Sequence, residues 1–188
     1  IYQDYDCGIH SSLLRNEVPR FDRYLETVDF GFTHPFVWGR WGVDHDGRLY
    51  LTHQIYMTRR LVEDHCRLIR SLHLPDPEAV LCDHDAEDRA TFERYRGVKT
   101  QPAMKSVSPG IQAVQQRLKI QKDGRPRIYF CADSLIQKDK ELETLFQPTC
   151  VQEEFESYVW NEDKDAPVKD KDDGMDMMRY AVVHLDKT

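Results

Sequence analysis

Three strand-like segments follow one another in the first third of the chain, and helices alternate with short strands after them. The first segment covers residues 24–31. The next two, 36–43 and 48–56, flank Asp46-Gly47, a dipeptide that favours the positive-φ turn of a β-hairpin. This order predicts an α/β fold with a mixed β-sheet, in which three antiparallel strands are followed by parallel strands and helices cover both faces.

The later elements are predicted from apolar spacing and from capping residues. An apolar stripe predicts a helix over 58–73 with Thr58 as its N-cap. The apolar run at 79–83 is typical of a buried strand. Gly97 is expected to end the following helix, and Ser108-Pro109 to open the next one. The predicted helices are 58–73, 85–95, 135–146, 175–185 and one that begins at Ser108; the remaining extended pieces are 98–104 and 127–131, and 163–173 is a charged loop.

The length of 188 residues suits one domain with a sizeable core. Residues 1–22 lack clear periodicity and are expected to be a linker or leading segment, and 23–188 the domain itself. The chain begins without Met and shows no signal peptide, so we expect an excised piece of a longer protein. Its apolar runs are too short for a membrane helix. Five scattered cysteines indicate reduced thiols in an intracellular setting.

The net charge of −7 limits the classes of nucleic-acid protein that the chain can belong to. It disfavours a stand-alone DNA binder, because neutralisation of phosphates dominates DNA affinity. It is compatible with a nuclease, because a cluster of acids that holds metal ions adds negative charge that the ions then cancel.

Acidic residues stand at the ends of two predicted strands and at the start of the last helix. Asp29 lies near the end of the first strand, and Asp83 ends the run at 79–83. If these strands pair in parallel, both carboxylates lie at the same edge of the sheet. The third group is Asp172, Asp173 and Asp176, of which the last two share a helix face.

Each acid also has a simpler interpretation. Asp29 and Asp83 could serve turns or caps, and the third group could be an acidic cap that suits the dipole of a surface helix. Taken together, however, the acids suit a site for two divalent ions, Mg²⁺ or Mn²⁺, since these ions prefer oxygen ligands. Two such ions support hydrolysis of phosphodiester bonds without a protein nucleophile.

Five basic residues are candidates for weak contacts with DNA. Lys105 precedes the helix that opens at Ser108, and Lys169 and Lys171 flank the last acids, where a lysine can stabilise charge on a phosphate. Arg117 and Lys119 belong to a basic stretch around a glycine turn. A solvated surface position is the alternative for each of them.

The sequence resembles the nuclease domain of the large terminase subunit of tailed bacteriophages, a member of the RNase H-like superfamily. The resemblance covers about residues 24–185, and its most specific motif is the last one. The segments that carry it are Asp29-Phe-Gly-Phe-Thr-His-Pro35, Asp46-Gly-Arg-Leu-Tyr50, Cys82-Asp83, Ser108-Pro-Gly-Ile111 with Arg117-Leu118, Glu154-Phe-Glu-Ser-Tyr-Val-Trp160, Pro167-Val-Lys169 and Asp172-Asp-Gly-Met-Asp-Met-Met-Arg-Tyr-Ala181.

The resemblance implies a catalytic, metal-binding triad of Asp29, Asp83 and Asp173, with Asp172 and Asp176 as further metal ligands. It implies two Mg²⁺ or Mn²⁺ ions and cutting of double-stranded DNA concatemers during genome packaging in the cytoplasm of a bacterial host. The implied partners are a portal protein, a small terminase subunit and an N-terminal ATPase domain. The ATPase itself is absent, because the chain has no GxxxxGK[ST] phosphate loop.

Two positions depart from the family pattern. Gly174 replaces the usual His, and Met177 replaces the usual Ala, which we expect to be a packing change. Two alternatives stay open: another RNase H-like enzyme, such as a junction resolvase or transposase core, and a non-catalytic domain that docks DNA or a portal.

Overall fold

A computed structural model describes residues 1–187, which form a six-stranded sheet with helices on both faces. No helix in this range combines the length and the apolarity that crossing a bilayer requires. The strands are β1 (Arg23–Asp29), β2 (Phe36–Val43), β3 (Leu49–Met57), β4 (Ala79–Cys82), β5 (Gln101–Pro102) and β6 (Ile128–Phe130). The helices are α1 (Cys7–His10), α2 (Val62–Ser71), α3 (Ala86–Arg96), α4 (Val107–Leu118), α5 (Lys140–Thr144), α6 (Val151–Glu154) and α7 (Asp173–Lys187).

The sheet has the order β5-β4-β1-β2-β3-β6. Strands β1, β2 and β3 pair antiparallel, whereas β4 pairs with β1, β5 with β4 and β6 with β3 in parallel. The predicted α/β class and mixed sheet are therefore confirmed.

The predicted hairpin between β2 and β3 is also confirmed. Gly47 adopts a φ of 76°, as the turn requires. The side chain of Asp44 accepts hydrogen bonds from the backbone amides of Asp46 (3.0 Å) and Arg48 (2.8 Å), which satisfies the polar groups of the turn. The turn thus fixes the register of the two longest strands.

The alternation of side chains along the strands divides the core in two. On one face Leu25, Val37 and Trp41 pack in a large cluster with residues of α4 and α7. On the other face Val28 and Trp38 pack with α2 and α3. Helix α7 begins two residues before its predicted start and is largely buried, so the interpretation of its acids as a cap on a surface helix is wrong.

Two predicted helix bounds are wrong, and the same residue explains both. The amide and hydroxyl of Thr58 each donate to Asp139 Oδ2 at 2.8 Å, so Thr58 is not an N-cap and α2 begins at Val62. Asp139 also caps α5, which is limited to Lys140–Thr144. Leu135, placed in that helix by the sequence pattern, instead bridges to Gln54 of β3.

Residues 1–22 contain little regular structure but lie against the domain. Tyr2 is only 4% exposed and belongs to the large core cluster. The amino group of Ile1 donates to the carbonyl of Tyr158 at 2.8 Å, and His10 Nε2 lies 2.9 Å from the carbonyl of Leu118. This segment therefore covers one side of the core.

His65 of α2 gives a first prediction, on stability. Its ring is 1% exposed and stacks on Phe36 with 3.9 Å between centroids, and neither ring nitrogen has a hydrogen-bond partner in the described chain. Burial, reinforced by the charge of Arg60, lowers its pKa to about 4. We expect His65→Leu to raise the free energy of unfolding by about 1–2 kcal/mol at pH 7, since it removes unpaired buried polar atoms.

The difference in the free energy of unfolding between His65→Leu and the wild type should increase as the pH falls from 7 to 5. In that range the unfolded wild-type chain binds a proton at His65 that the folded chain does not, which destabilises the wild type alone. Urea unfolding at both pH values measures this, with the exposed His45→Leu as control. A lower stability of His65→Leu at pH 7 would show that the imidazole has a favourable role.

Candidate active site

A cleft of about 380 Å³ opens where β1 and β4 end, beside the N-terminus of α7. It is lined by all five candidate acids, Asp29, Asp83, Asp172, Asp173 and Asp176. The candidate lysines Lys105, Lys169 and Lys171 also line it. The rest of the lining, which sequence reasoning did not single out as site residues, consists of Phe30, Gly31, Phe32, His34, Asp170 and Tyr180.

Strand pairing places the first two acids at one edge of the sheet. β1 and β4 are parallel in register from Leu25–Ala79 to Val28–Cys82, as expected. The amide of Asp83 donates to the carbonyl of Val28 at 3.1 Å, so the pairing extends to the acid itself. Asp29, the last residue of β1, therefore lies beside Asp83 in the same cleft.

A buried carboxylate fixes the start of α7, which carries the other acids. Glu154 is fully buried and accepts hydrogen bonds from the amides of Gly174 (2.9 Å) and Met175 (2.8 Å) and from the hydroxyl of Tyr56 (2.5 Å). Burial raises the pKa of Glu154 well above its ordinary value, although these donors counteract the rise. The carboxylate satisfies amides that the first turn of a helix leaves without partners.

The same contact explains the glycine at position 174. A Cβ atom there would lie 2.9 Å from Glu154 Oε2 and 3.1 Å from Val151 Cγ2. No side chain fits unless Glu154 moves. The family pattern has His at position 174, and that side chain is therefore incompatible with the capping of α7 by Glu154.

Two consecutive residues of α7 each hold one acid of the cleft. Arg179 is 3% exposed, and its Nη1 lies 2.8 Å from Asp176 Oδ1 and donates to the hydroxyl of Tyr158 at 3.0 Å. Tyr180 donates its hydroxyl to Asp29 Oδ1 at 3.2 Å. The spacing of three between Asp176 and Arg179 was visible in the sequence. The pairing of Tyr180 with Asp29 spans 151 positions and had no local signal.

Met177 has the packing role expected of it. Its sulfur accepts a hydrogen bond from Thr27 Oγ1 at 2.7 Å, and Trp41 donates its indole N–H to the same hydroxyl at 2.8 Å. A Cβ atom on Gly39 of β2 would lie 2.6 Å from that sulfur. The larger side chain at 177 thus fills space that Gly39 leaves open, and it joins α7 to the sheet.

The acids of the cleft repel one another. Burial raises the pKa of Asp29 well above its ordinary value, and the charges of Asp176, Asp173 and Asp83 raise it further. Burial and the charge of Asp172 raise the pKa of Asp173 to about 6. The pKa of Asp172 is raised by burial and by Asp176. Carboxylates with such shifts are stabilised by a nearby cation.

Two lysines supply part of that positive charge. Lys105 forms an ion pair with Asp83, and although burial raises the pKa of Asp83, Lys105 and the amide of His84 bring it below its ordinary value. Lys169 Nζ lies 3.2 Å from Asp172 Oδ2 and 3.2 Å from Asp176 Oδ2. The lysines therefore contact three of the five acids.

The donor set of the cleft meets only part of what a divalent ion requires. In the arrangement described for residues 1–187, no three Asp, Glu, His or Cys side chains are grouped closely enough to hold one ion. The cleft nevertheless offers carboxylate oxygens, the ligands that Mg²⁺ and Mn²⁺ prefer. Two of them, Asp172 Oδ2 and Asp176 Oδ1, are buried, and each is paired with a cation, Lys169 at 3.2 Å and Arg179 at 2.8 Å. The donor chemistry suits hard divalent ions, but the carboxylates would have to draw together and give up the lysine contacts to hold one.

The other two basic candidates lie outside the cleft. The guanidinium of Arg117 pairs with Asp186 at 2.5 Å and donates to the carbonyl of Gly47 at 2.9 Å, and its side chain is 11% exposed. Lys119 is exposed at the C-terminal end of α4. The structure thus brings Lys105, Lys169 and Lys171 to the acids and leaves Arg117 and Lys119 elsewhere.

Comparison with known proteins gives matches among solved structures alone. No protein-family model matches the chain, and no curated protein matches it significantly. A large terminase from the thermophilic bacteriophage D6E superposes with a TM-score of 0.74 and 24% identity over 97% of this chain and 43% of that one. The nuclease domain of the P22 large terminase superposes with a TM-score of 0.72 and 18% identity, over 97% of this chain and 91% of that domain.

These likenesses establish the fold. The chain spans less than half the length of the D6E protein, whereas it matches nearly all of the P22 domain. A fold shared at such low identity leaves the chemistry to be argued from the site itself.

Proposed function

We propose that this chain is a divalent-metal-dependent endonuclease domain that cuts double-stranded phage DNA concatemers during genome packaging. The observation that carries the proposal is the gathering of the five candidate carboxylates, from the ends of β1 and β4 and from the start of α7, in one open cleft. The fold, which the chain shares with a terminase nuclease domain, supports the same conclusion.

The metal ligands in this proposal are Asp29, Asp83 and Asp173, and Asp172 and Asp176 complete the set. When bound, two Mg²⁺ or Mn²⁺ ions supply an activated water and stabilise the leaving oxygen in phosphodiester hydrolysis. The protein does not need a nucleophile of its own for this reaction.

The surrounding residues position the acids and the substrate. Tyr180 holds Asp29, and Arg179 holds Asp176, so the carboxylates are oriented before the substrate arrives. Lys105 and Lys169 contact the acids through exposed ammonium groups, which can turn to a phosphate oxygen when DNA enters the cleft.

The proposal extends to partners and setting. The net charge of −7 gives the domain little DNA affinity of its own. An ATPase domain, a portal protein and a small terminase subunit would hold the DNA against the cleft, in the cytoplasm of a bacterial host. Weak cleavage by the isolated domain is therefore expected.

Cleavage of supercoiled plasmid DNA tests the proposal. We expect nicking and linearisation with Mn²⁺ or Mg²⁺, no cleavage in EDTA, and loss of cleavage in Asp83→Ala. Asp163→Ala, which removes an exposed acid outside the cleft, should cleave like the wild type. If no metal supports cleavage and calorimetry detects no Mn²⁺ binding, a non-catalytic docking domain becomes the better explanation.

The choice of substrate separates the proposal from another RNase H-like nuclease. A packaging nuclease should cut linear and supercoiled duplexes with little sequence preference. A strong preference for a four-way junction over a duplex of the same sequence would instead favour a junction resolvase.

A further inference from the structure

A second groove, of about 470 Å³, lies next to the acidic cleft at the loop that follows β1. Gly31 and Phe32 line both cavities, so the groove and the cleft that holds the carboxylates are adjacent. Its walls come from the start of α2 and from one side of α3. Its size falls within the range of pockets that hold small ligands or parts of larger ones, about 300–1,000 Å³.

Phe32 is held at the junction of the two cavities with its ring half exposed, at 50%. The amide of Arg59 donates to the carbonyl of Phe32 at 2.7 Å, which ties the loop to the end of β3. At Gly31 a Cβ atom would lie 2.4 Å from the carbonyl oxygen of Pro35, so the loop is tightly folded. The ring makes no aromatic contact within residues 1–187 and is free to pack against a ligand.

The groove combines apolar surface with unpaired positive charge. Leu61 is 62% exposed beside Phe32. Arg60 donates to the amide oxygen of Gln137 at 3.3 Å, and the Arg94 guanidinium lies 5.4 Å from the Tyr95 ring. Neither arginine pairs with a carboxylate anywhere in the described chain.

Two acids also line the groove. Glu63 is paired with Arg67. Asp88 has a raised pKa, caused by burial and by neighbouring acids. Aromatic and aliphatic surface flanked by two guanidinium groups without carboxylate partners is a combination that suits single-stranded nucleic acid, because bases stack on rings while arginines contact phosphates.

We propose that this groove binds the DNA strand beside the scissile phosphate and that Phe32 stacks on a nucleobase which has left the duplex stack there. The inference rests on the proposed function, since it gives the DNA a path away from the acids. Stacking on an aromatic ring tolerates any base, in keeping with a nuclease of little sequence preference. Unstacking a base is least costly at a mismatch, so mismatched duplexes should bind best.

A duplex with 2-aminopurine in a single mismatch is the probe, in buffer with EDTA so that no cleavage occurs. Its fluorescence should rise when wild-type protein binds, because the base leaves the duplex stack that quenches it and a phenylalanine ring quenches it only weakly. Phe32→Ala should lose this rise and bind about 5- to 100-fold more weakly, the range of one lost base–aromatic stack. Phe32→Trp should restore the affinity. Phe146→Ala removes a ring that is 96% exposed outside these cavities and should behave like the wild type.

Arg60 and Arg94 lead to a separate prediction, on how DNA binding depends on salt concentration. A combined Arg60→Gln and Arg94→Gln variant should lower the slope of log binding constant against log salt by up to about 2, since each phosphate contact contributes about 0.9. Arg20→Gln, an exposed arginine outside the groove, should leave the slope unchanged.

The possible outcomes separate the groove from the proposed function. If the wild type cleaves plasmid and Phe32→Ala binds and cleaves equally well, the groove does not bind DNA and a protein partner is its better occupant. If the wild type never cleaves but the rise in fluorescence depends on Phe32, the groove is supported and the nuclease is not. If no DNA binding is detected for any variant at low salt, the groove proposal fails, and plasmid cleavage alone decides the proposed function.

Discussion

Replacing Asp29 with asparagine is expected to abolish DNA cleavage and, at the same time, to stabilise the metal-free domain. Asp29 is 9% exposed, and its pKa is raised by burial and by three neighbouring acids. Asparagine has the same shape but no charge, so the variant should gain about 1–3 kcal/mol in the free energy of unfolding. Cleavage should fall by more than about a hundredfold, since the loss of a metal's outer partners alone costs 10–100-fold.

The sign of the pH dependence is part of this prediction. The folded-state pKa of Asp29 lies above its unfolded value, so its ionisation destabilises the fold at high pH and the cost fades as the pH falls through the folded pKa. The advantage of Asp29→Asn should therefore be larger at pH 8 than at pH 5. Urea unfolding in EDTA at both pH values gives the comparison.

Asp123→Asn is a matched control, and its effect on stability should be opposite to that of Asp29→Asn. The pKa of Asp123 is lowered to about 2, chiefly by its hydrogen bond with Arg127, so Asp123→Asn should destabilise the domain at pH 8.

Mn²⁺ at 100 times its dissociation constant should stabilise the wild type by about 2.7 kcal/mol and Asp29→Asn by much less. If Asp29→Asn proves less stable than the wild type in EDTA, the repulsion inferred among the acids is wrong.

Glu154→Gln is expected to destabilise the domain. The carboxyl group accepts bonds from two helix amides and from Tyr56. A glutamine amide has one acceptor oxygen, so its NH₂ group must face at least one donor, and a buried donor left without its acceptor costs about 1–3 kcal/mol. We expect a loss of that size in the free energy of unfolding and frayed structure at the start of α7.

Activity should fall with it, although Glu154 lines no part of the cleft. The residue acts by positioning Asp173 and Asp176, which lie in the turn that it caps. Thermal unfolding and Mn²⁺ affinity measured together test this, with the exposed Glu156→Gln as control. A variant with wild-type melting temperature and metal affinity would show that the cap is dispensable.

Local signals in the sequence were sufficient for most of the sheet. The Asp46-Gly47 turn fixed the hairpin, and the apolar run before Asp83 identified β4 as a buried parallel strand. Gly97 ends α3 in the left-handed conformation, as predicted. These features depend on a few adjacent residues, whose backbone preferences survive in any tertiary context.

The features that the sequence did not predict depend on contacts between residues far apart in the chain. Thr58 is a residue type that favours the N-cap position. The side chain of Asp139, however, accepts hydrogen bonds from its amide and hydroxyl, and α2 begins only at Val62. The roles of Glu154 and Tyr180 follow from contacts with Gly174 and Asp29, far along the chain. Sequence patterns placed the acids in three groups; they could not show which buried donors orient them.

The position of α7 in the chain has a consequence for protein synthesis. A ribosome makes Asp29 and Asp83 before Asp173, Asp176 and the hydroxyl that holds Asp29, which all belong to α7. A nascent chain that has emerged only as far as β6 lacks Asp173 of the proposed triad and the helix that buries one face of β1. Under the proposed function, a chain whose translation stops before α7 would therefore lack a complete metal site.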